Sequence, residues 1–199
     1  IPYLVLDETY AEQPDFEGAK YVMSPPLRSL KHQKRLWQAL KTRAISTVAT
    51  DPAPFDFVGQ KDMGKDDFTL IPNGVPSIEN RVDLLHTFGV GTGRIDLHTF
   101  VDALSTQAAK IFGLERKGRI AVGADADLVV YDPKKTWTVR AAEHHINTDY
   151  NAFEGFELTG KSDVVTVRGE VQVRGGEFVG RIGHGRFVAR PATHAGAGP

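Results

Sequence analysis

The chain has 199 residues, of which 41% are hydrophobic and 25% are charged, so it can bury the core of one large domain or two small ones. Its formal net charge is -1 and no basic stripe is present, so nucleic acid is not an expected partner. No apolar run approaches the roughly 20 residues of a membrane helix. The lack of cysteine excludes a disulfide scaffold, a cysteine zinc site and a thiol nucleophile. We expect a cytoplasmic protein that binds neither nucleic acid nor a membrane.

The two ends of the sequence carry expectations of their own. The chain begins at Ile1 rather than Met and enters an apolar run at once, so we expect it to begin inside a longer protein. Its last residues, 191–199, are small and rich in Gly and Ala. We expect a flexible tail there.

The first part of the chain predicts alternating strands and helices. The apolar run 20–23 stops before two prolines and predicts a strand, because proline cannot continue a hydrogen-bonded ladder. Residues 30–40 have apolar positions at helical spacing. The β-rich run 45–50 ends at Asp51 and predicts a second strand. This order of strand, loop, helix and strand is the unit of an α/β fold with a parallel sheet.

A segment that contains four prolines, 52–76, follows the second predicted strand. A loop of this length inside a compact domain is usually functional or disordered, and its aromatic side chains favour an ordered loop. Three further helices are predicted: one that Ser77 caps and Gly89 ends, one that Asp96 caps, and one over 107–112.

The pattern changes from residue 118 onward. Short β-rich runs, punctuated by Gly and Asp, continue to residue 188. Arg168-Gly169 and Gly175-Gly176 are candidates for hairpin turns. We therefore predict a small β domain in this part of the chain.

Three polar residues are placed where they can take part in chemistry. Asp51 closes a predicted strand and opens the long loop, and in an α/β barrel such strand ends face the active site. A carboxylate there can bind a metal and transfer protons, although Asp-Pro is also a common turn pair. Ser24 follows the earlier strand in the same way, and Asn73 begins an Asn-Gly turn. By pattern alone, a plain turn is favoured for Ser24 and Asn73, and both interpretations stay open for Asp51.

The long loop also carries a stretch of mixed charge, 61–67, which contains lysines and aspartates. Charges of both signs in a loop are typical of side chains that stay in water. We predict a solvated loop face there, and this includes Lys61.

Several stretches together resemble the dihydropyrimidinase and hydantoinase family of cyclic amidohydrolases. Residues 16–28 are similar to the strand-7 region of these enzymes, 51–61 to the strand-8 region, and 64–74 to the loop after it. Residues 117–129 are similar to a marker of the wider amidohydrolase superfamily, and 150–155 to another stretch of the family. The resemblance covers nearly the whole chain.

The resemblance implies an α/β fold, namely the C-terminal part of a (β/α)8 barrel, with strands 7 and 8 and the following helices, and the C-terminal part of a small β-sandwich domain. It places the barrel part at 1–117, the sandwich part at 118–190 and the tail at 191–199. Family members usually form homotetramers, so we expect that assembly, with the remainder of the parent chain as a partner. Because exposed strand edges favour aggregation, we expect the 199-residue chain alone to be poorly soluble. We also expect it to be inactive, since the resemblance places most of the active site outside this chain.

The resemblance also implies a function, the metal-dependent hydrolysis of the cyclic amide bond of dihydropyrimidines or hydantoins. The family site holds two metal ions, usually zinc, and of their protein ligands only the strand-8 aspartate has a counterpart here, Asp51. In this mechanism a metal-bridging hydroxide attacks the ring carbonyl, and Asp51 carries its proton to the leaving nitrogen. Ser24 and Asn73 match positions that hydrogen-bond the small cyclic ureide or imide substrate. One position departs from the family: Pro52 stands where a histidine is common.

Two alternatives stay open beside this function. An allantoinase-like or dihydroorotase-like cyclic amidohydrolase is one of them, because the loops that select the ring lie largely outside this chain. A non-catalytic assembly protein is the other, since the collapsin-response-mediator proteins share the fold without catalysis. In those proteins the strand-8 aspartate and the loop asparagine are replaced, so Asp51 and Asn73 favour an enzyme.

Overall fold

The computed structural model of the chain describes residues 1–190, and the tail predicted at 191–199 lies outside the described residues. Within residues 1–190 the α-helices precede the strands. The α-helices are α1 (Pro2–Val5), α2 (Leu30–Lys41), α3 (Arg81–Leu85), α4 (Leu97–Val101) and α5 (Gln107–Ile111). The strands are β1 (Val129–Thr138), β2 (Glu157–Val167), β3 (Glu170–Arg174) and β4 (Glu177–Phe178). Short 3-10 helices lie at Glu8–Glu12, Glu17–Tyr21, Lys61–Gly64, Phe68–Leu70 and Ala141–Glu143, and π-helical turns at His86–Val90 and Asp102–Thr106. None of the helices in residues 1–190 has the length and apolarity needed to cross a membrane.

The helix predicted over 30–40 is confirmed as α2. It forms an apolar stripe that faces the core, and its Trp37 side chain is buried. The Trp37 indole Nε1 donates to the backbone oxygen of Leu4 at 3.0 Å. The Gln33 amide donates to the backbone oxygen of Leu6 at 3.3 Å. The buried face of α2 therefore binds the first residues of the chain to the core.

The two strands predicted before and after α2 are wrong. The run 20–23 begins inside a 3-10 helix, and 45–50 has no strand partner within residues 1–190. A ladder requires successive backbone bonds from one neighbouring strand, whereas the groups here are bound one at a time by different partners. The backbone oxygen of Thr50, for example, accepts from the Ser77 hydroxyl at 3.2 Å. The parallel sheet expected from these runs is therefore not formed within the described part of the chain.

The cap predicted at Ser77 is also wrong, whereas the cap predicted at Asp96 is confirmed. Ser77 is fully buried and its hydroxyl donates to the backbone oxygen of Thr50. Helix α3 begins only after Asn80, which makes no side-chain cap bond. The Asp96 carboxylate accepts from the backbone amide of Thr99 at 2.7 Å and satisfies a free donor of the first turn of α4. A π-helical turn joins α4 to α5, so the two helices predicted after Asp96 form one continuous helix.

The last part of the described chain forms a four-stranded antiparallel sheet in the order β1-β2-β3-β4. The β-rich character predicted for 118–188 is confirmed between residues 129 and 178, whereas 118–128 and 179–188 form no strand. Arg168-Gly169 connects β2 to β3 with φ angles of 50° and 81°, and Gly175-Gly176 connects β3 to β4 with 62° and 98°. Two successive positive φ angles are what a tight hairpin turn requires, so both predicted turns are confirmed.

The sheet joins the helices through the backbone of β2. His86 Nδ1 lies 2.7 Å from the backbone oxygen of Thr159, and the Thr87 hydroxyl donates to the same oxygen at 3.0 Å. Gly160 leaves room for this contact, because a Cβ there would lie 2.5 Å from both His86 Nδ1 and the Tyr131 hydroxyl oxygen. One hydrophobic core spans both parts, and its most buried members include Leu6, Leu40, Leu84, Leu85, Val139, Phe153 and Leu158.

We expect Gly160→Ala to destabilise the protein more than Gly176→Ala. Both glycines have a φ near 100°, so both substitutions strain the backbone, by about 1–3 kcal/mol. Only the methyl group at position 160 meets other atoms, which adds about 1–3 kcal/mol of overpacking. Calorimetric melting of the two variants measures the difference. Equal melting temperatures would contradict the close contact between the sheet and the helices.

Candidate active site

Two of the three predicted site residues contact each other. Ser24 Oγ donates to Asn73 Oδ1 at 3.2 Å, although 49 positions separate the two residues in the chain. Both residues are exposed. A hydroxyl and a primary amide each combine donor and acceptor groups, so the pair presents hydrogen-bonding capacity of both kinds to solvent.

The pair is positioned by backbone bonds between the segments that carry it. The backbone amide of Gly74 donates to the Val22 oxygen at 3.0 Å. Lys61 Nζ donates to the same Val22 oxygen at 3.0 Å and to the Pro72 oxygen at 2.9 Å. The extended run before Ser24 thus obtains its hydrogen bonds from a loop amide and a side chain instead of from a neighbouring strand.

Lys61 is fully buried, at 0% exposure, so its predicted place on a solvated loop face is wrong. Burial lowers the pKa of its ammonium group to about 8, because low-polarity surroundings disfavour the charged form. Its two carbonyl partners accept from either form of the amine. Sequence reasoning missed this residue, and the one available signal was its place in the stretch 51–61 that resembles the family.

Asp51 stands alone at the start of the long loop. Its side chain is exposed, and its φ of 47° lies in the left-handed region, which Asp adopts more readily than most residues. The carboxylate is therefore presented to solvent at the end of the extended run 45–50.

The Tyr3 side chain contacts the segment of Ser24 and lies close enough to Asp51 to be affected by its charge. The Tyr3 hydroxyl donates to the backbone oxygen of Pro25 at 2.7 Å. Burial raises the pKa of this hydroxyl, and the nearby negative charge of Asp51 raises it further, since both disfavour the phenolate. Tyr3 is a second residue that sequence reasoning missed, because the apolar run around it was used only to predict that the chain begins inside a longer protein.

A second contact brings the Asn73 segment to the Asp51 segment. Gly74 packs so tightly on Ala53 that a Cβ at Gly74 would lie 2.2 Å from the Ala53 Cβ and 2.7 Å from its backbone oxygen. The segments of Ser24, Asp51 and Asn73 therefore meet, and we name these three residues the site surface.

The site surface supplies one potential metal ligand. No group of three or more His, Cys, Asp or Glu residues within positions 1–190 is arranged to hold a metal ion. Zinc accepts carboxylate oxygens, and its protein sites use three or four protein ligands. The exposed Asp51 carboxylate therefore fits a zinc centre as one donor among several, and the described residues do not form such a centre by themselves.

We expect Gly74→Ala to destabilise the protein more than Gly59→Ala does. Both glycines have positive φ angles, 142° and 80°, and the strain of a side chain there costs about 1–3 kcal/mol. The methyl group at position 74 also collides with Ala53, whereas the one at position 59 meets nothing within 4 Å. Chemical denaturation should show an additional loss of about 1–3 kcal/mol for Gly74→Ala. An equal loss would show that the segments of Asn73 and Asp51 do not touch.

Comparison with known proteins places the chain in a family. Residues 19–172 match the model of the Amidohydrolase family. Over 189 residues, which are 94% of this chain and 40% of the relative, it is 54% identical to a D-hydantoinase of Geobacillus stearothermophilus.

Solved structures give the same result. The D-hydantoinase (dihydropyrimidinase) from Thermus sp. superimposes with a TM-score of 0.92 at 58% identity, over 96% of this chain and 42% of that one. For the L-hydantoinase (dihydropyrimidinase) from Arthrobacter aurescens the TM-score is 0.85 at 32% identity, over 94% and 41%. The chain spans about 40% of the length of the curated relatives it matches. Because the family match extends over most of its residues, the chain belongs to the amidohydrolase family.

Proposed function

We propose that this chain is part of a cyclic amidohydrolase that opens the ring of hydantoins or dihydropyrimidines. The proposal is supported by the hydrogen bond between Ser24 and Asn73. It is supported also by the close packing of Gly74, next to Asn73, on Ala53, which lies two positions after Asp51. The family resemblance assigns Ser24 and Asn73 to substrate binding and Asp51 to metal binding and proton transfer, all in one active site. The names of the relatives, D-hydantoinase and dihydropyrimidinase, support the same reaction.

Ser24 and Asn73 bind the edge of the ring in this proposal. A cyclic ureide or imide presents N–H donors beside carbonyl acceptors, and the hydroxyl and amide offer the complementary groups. The bond between Ser24 and Asn73, at 3.2 Å, is long for an O–H···O hydrogen bond. Replacing this hydrogen bond with bonds to a ring edge therefore costs little free energy. Two bonds to one edge orient the ring, so that one carbonyl is presented to the attacking water.

Asp51 transfers the proton. Amide hydrolysis requires that the attacking water lose a proton and that the leaving ring nitrogen gain one. An exposed carboxylate at the start of the loop accepts the first proton and delivers it to the nitrogen. A binuclear zinc centre, when bound, would polarise the ring carbonyl and lower the pKa of water. Asp51 is the ligand that this chain contributes to it.

The finer architecture belongs to the same proposal. Residues 1–117 belong to the last part of a (β/α)8 barrel, in which the runs 20–23 and 45–50 would become strands only beside the remainder of the parent chain. Residues 118–190 belong to a β-sandwich, and the change from helices to an antiparallel sheet supports this division. Ile120 and Val122 are almost fully exposed, which supports packing against the remainder of the parent protein. The homotetramer and the cytoplasmic location stay predictions.

Among the possible rings, a hydantoin of the D series is favoured. Identity is 54% and 58% to two D-hydantoinases but 32% to an L-hydantoinase. An allantoinase-like or dihydroorotase-like enzyme is the second candidate. Initial rates with D- and L-5-substituted hydantoins, dihydrouracil, allantoin and dihydroorotate separate these possibilities, and turnover of none of them would favour the non-catalytic assembly protein.

In the complete enzyme, we expect Asp51→Asn to lower kcat for hydantoin opening by a factor of about 10² or more, since an amide cannot accept the proton. Product formation by chromatography measures the rate, and metal analysis of the same preparation measures the bound ions. Asp66→Asn, an exposed aspartate in the same loop, is the matched control and should leave kcat unchanged. Full turnover by Asp51→Asn with its metal retained would sink the proton-transfer role.

Metal removal should abolish ring opening in the complete enzyme, and added zinc should restore it, because the metal centre lowers the pKa of water. The 199-residue chain alone should open no ring with or without zinc, since Asp51 is one ligand and zinc sites use three or four. Activity that resists a strong chelator would contradict the metal centre. Ring opening by the chain alone would show that it supplies further metal ligands besides Asp51.

A further inference from the structure

We propose that Lys61 is a positioning residue, whose buried amine sets the spacing between Ser24 and Asn73 and thereby the fit of the ring. This inference rests on the proposed function and deepens it. Lys61 does not touch the substrate in this proposal, because its side chain is fully buried. It acts through the two residues that do.

The Lys61 amine is bound between the segments that carry Ser24 and Asn73. Lys61 Nζ donates to the Val22 oxygen at 3.0 Å and to the Pro72 oxygen at 2.9 Å. Val22 lies two positions before Ser24, and Pro72 directly precedes Asn73. A single nitrogen therefore joins the backbones of the two segments next to the paired side chains.

The segment of Lys61 is itself anchored. The backbone amide of Lys61 donates to the Asp56 oxygen at 3.1 Å. Gly64, at the end of the same 3-10 helix, lies against Ile71, where a Cβ would be 2.1 Å from the Ile71 Cγ1 atom. The amine thus projects from a fixed turn, and its position is transmitted to the backbone that leads into Asn73.

The chemistry of the lysine side chain also favours a positioning role for Lys61. Burying an amine is unfavourable compared with burying an apolar side chain of similar size, so packing alone does not explain a lysine here. Lysine offers three donors at one point on a long stem, which suits two carbonyl oxygens from different segments. An apolar replacement fills the space but leaves both segments without their shared donor.

The experiment measures KM and kcat of Lys61→Met in the complete enzyme with a D-5-substituted hydantoin. We expect KM to rise about tenfold or more, since misplacing the binding groups by a fraction of an ångström weakens binding, while metal content stays unchanged. Lys65→Met, an exposed lysine of the same loop, is the matched control with unchanged KM. A Lys61→Met enzyme with lowered melting temperature and unchanged KM would overturn the proposal, because a merely structural residue gives that result.

A mutant cycle tests whether Lys61 acts through Ser24 and Asn73. In the Ser24→Ala/Asn73→Ala background, we expect Lys61→Met to change KM by less than about twofold, because residues that act through one another have non-additive effects. A full tenfold increase in that background would overturn the positioning role. If Lys61→Met yields no folded enzyme, Lys61→Gln replaces it, because its side chain is one bond shorter and cannot hold both carbonyl oxygens in the same positions; an unchanged KM would again overturn the proposal.

Failure of the proposed function has a different signature. In that case the unsubstituted enzyme opens none of the hydantoins or dihydropyrimidines. Failure of the positioning role alone leaves the unsubstituted enzyme active and the KM of the Lys61 variants unchanged.

Discussion

The site surface depends on one backbone oxygen. The Val22 carbonyl accepts from the Gly74 amide and from the Lys61 amine, both at 3.0 Å. Buried backbone groups require hydrogen-bond partners. In this chain the long loop supplies the donors for the backbone just before Ser24. These hydrogen bonds hold Asn73 next to Ser24. They also fix the position of the proline-rich loop that carries Asn73.

The helices and the sheet are joined in a comparable way, by a carbonyl with two side-chain partners. The Thr159 oxygen lies 2.7 Å from His86 Nδ1 and accepts from the Thr87 hydroxyl at 3.0 Å. Gly160 permits this approach because it has no side chain to collide with the histidine ring. The sheet is therefore attached to the same core that supports α2, and through α2 to the first residues of the chain.

Family membership and activity rest on different kinds of observation. Membership follows from the match over 19–172, which spans helices and sheet alike. The proposed activity rests on Asp51, Ser24 and Asn73, and on relatives that are about two and a half times as long as the matched region. A metal centre needs several ligands, and residues 1–190 offer no group of three or more that could hold one, so the proposed centre requires ligands beyond Asp51.

The sequence by itself determined the features that depend on neighbouring residues. The spacing of apolar side chains was sufficient to predict α2. A carboxylate before a helical run was sufficient to predict the cap at Asp96. A glycine-containing pair between two β-rich runs was sufficient to predict the Arg168-Gly169 turn. The family resemblance, carried by longer stretches, was sufficient for the family. In each case the interaction that decides the structure lies within a few positions of the chain, or within a pattern that the chain displays directly.

Only the tertiary structure decided which distant groups share hydrogen bonds. The runs 20–23 and 45–50 have the composition of strands, yet strand formation depends on a partner elsewhere in the chain, and their backbone groups are bound by side chains and loops instead. A lysine in a mixed-charge loop predicts solvent exposure, but Lys61 is buried because two carbonyls from other segments converge on its amine. The contact between Ser24 and Asn73 spans 49 positions, and no local propensity encodes a distance of that kind.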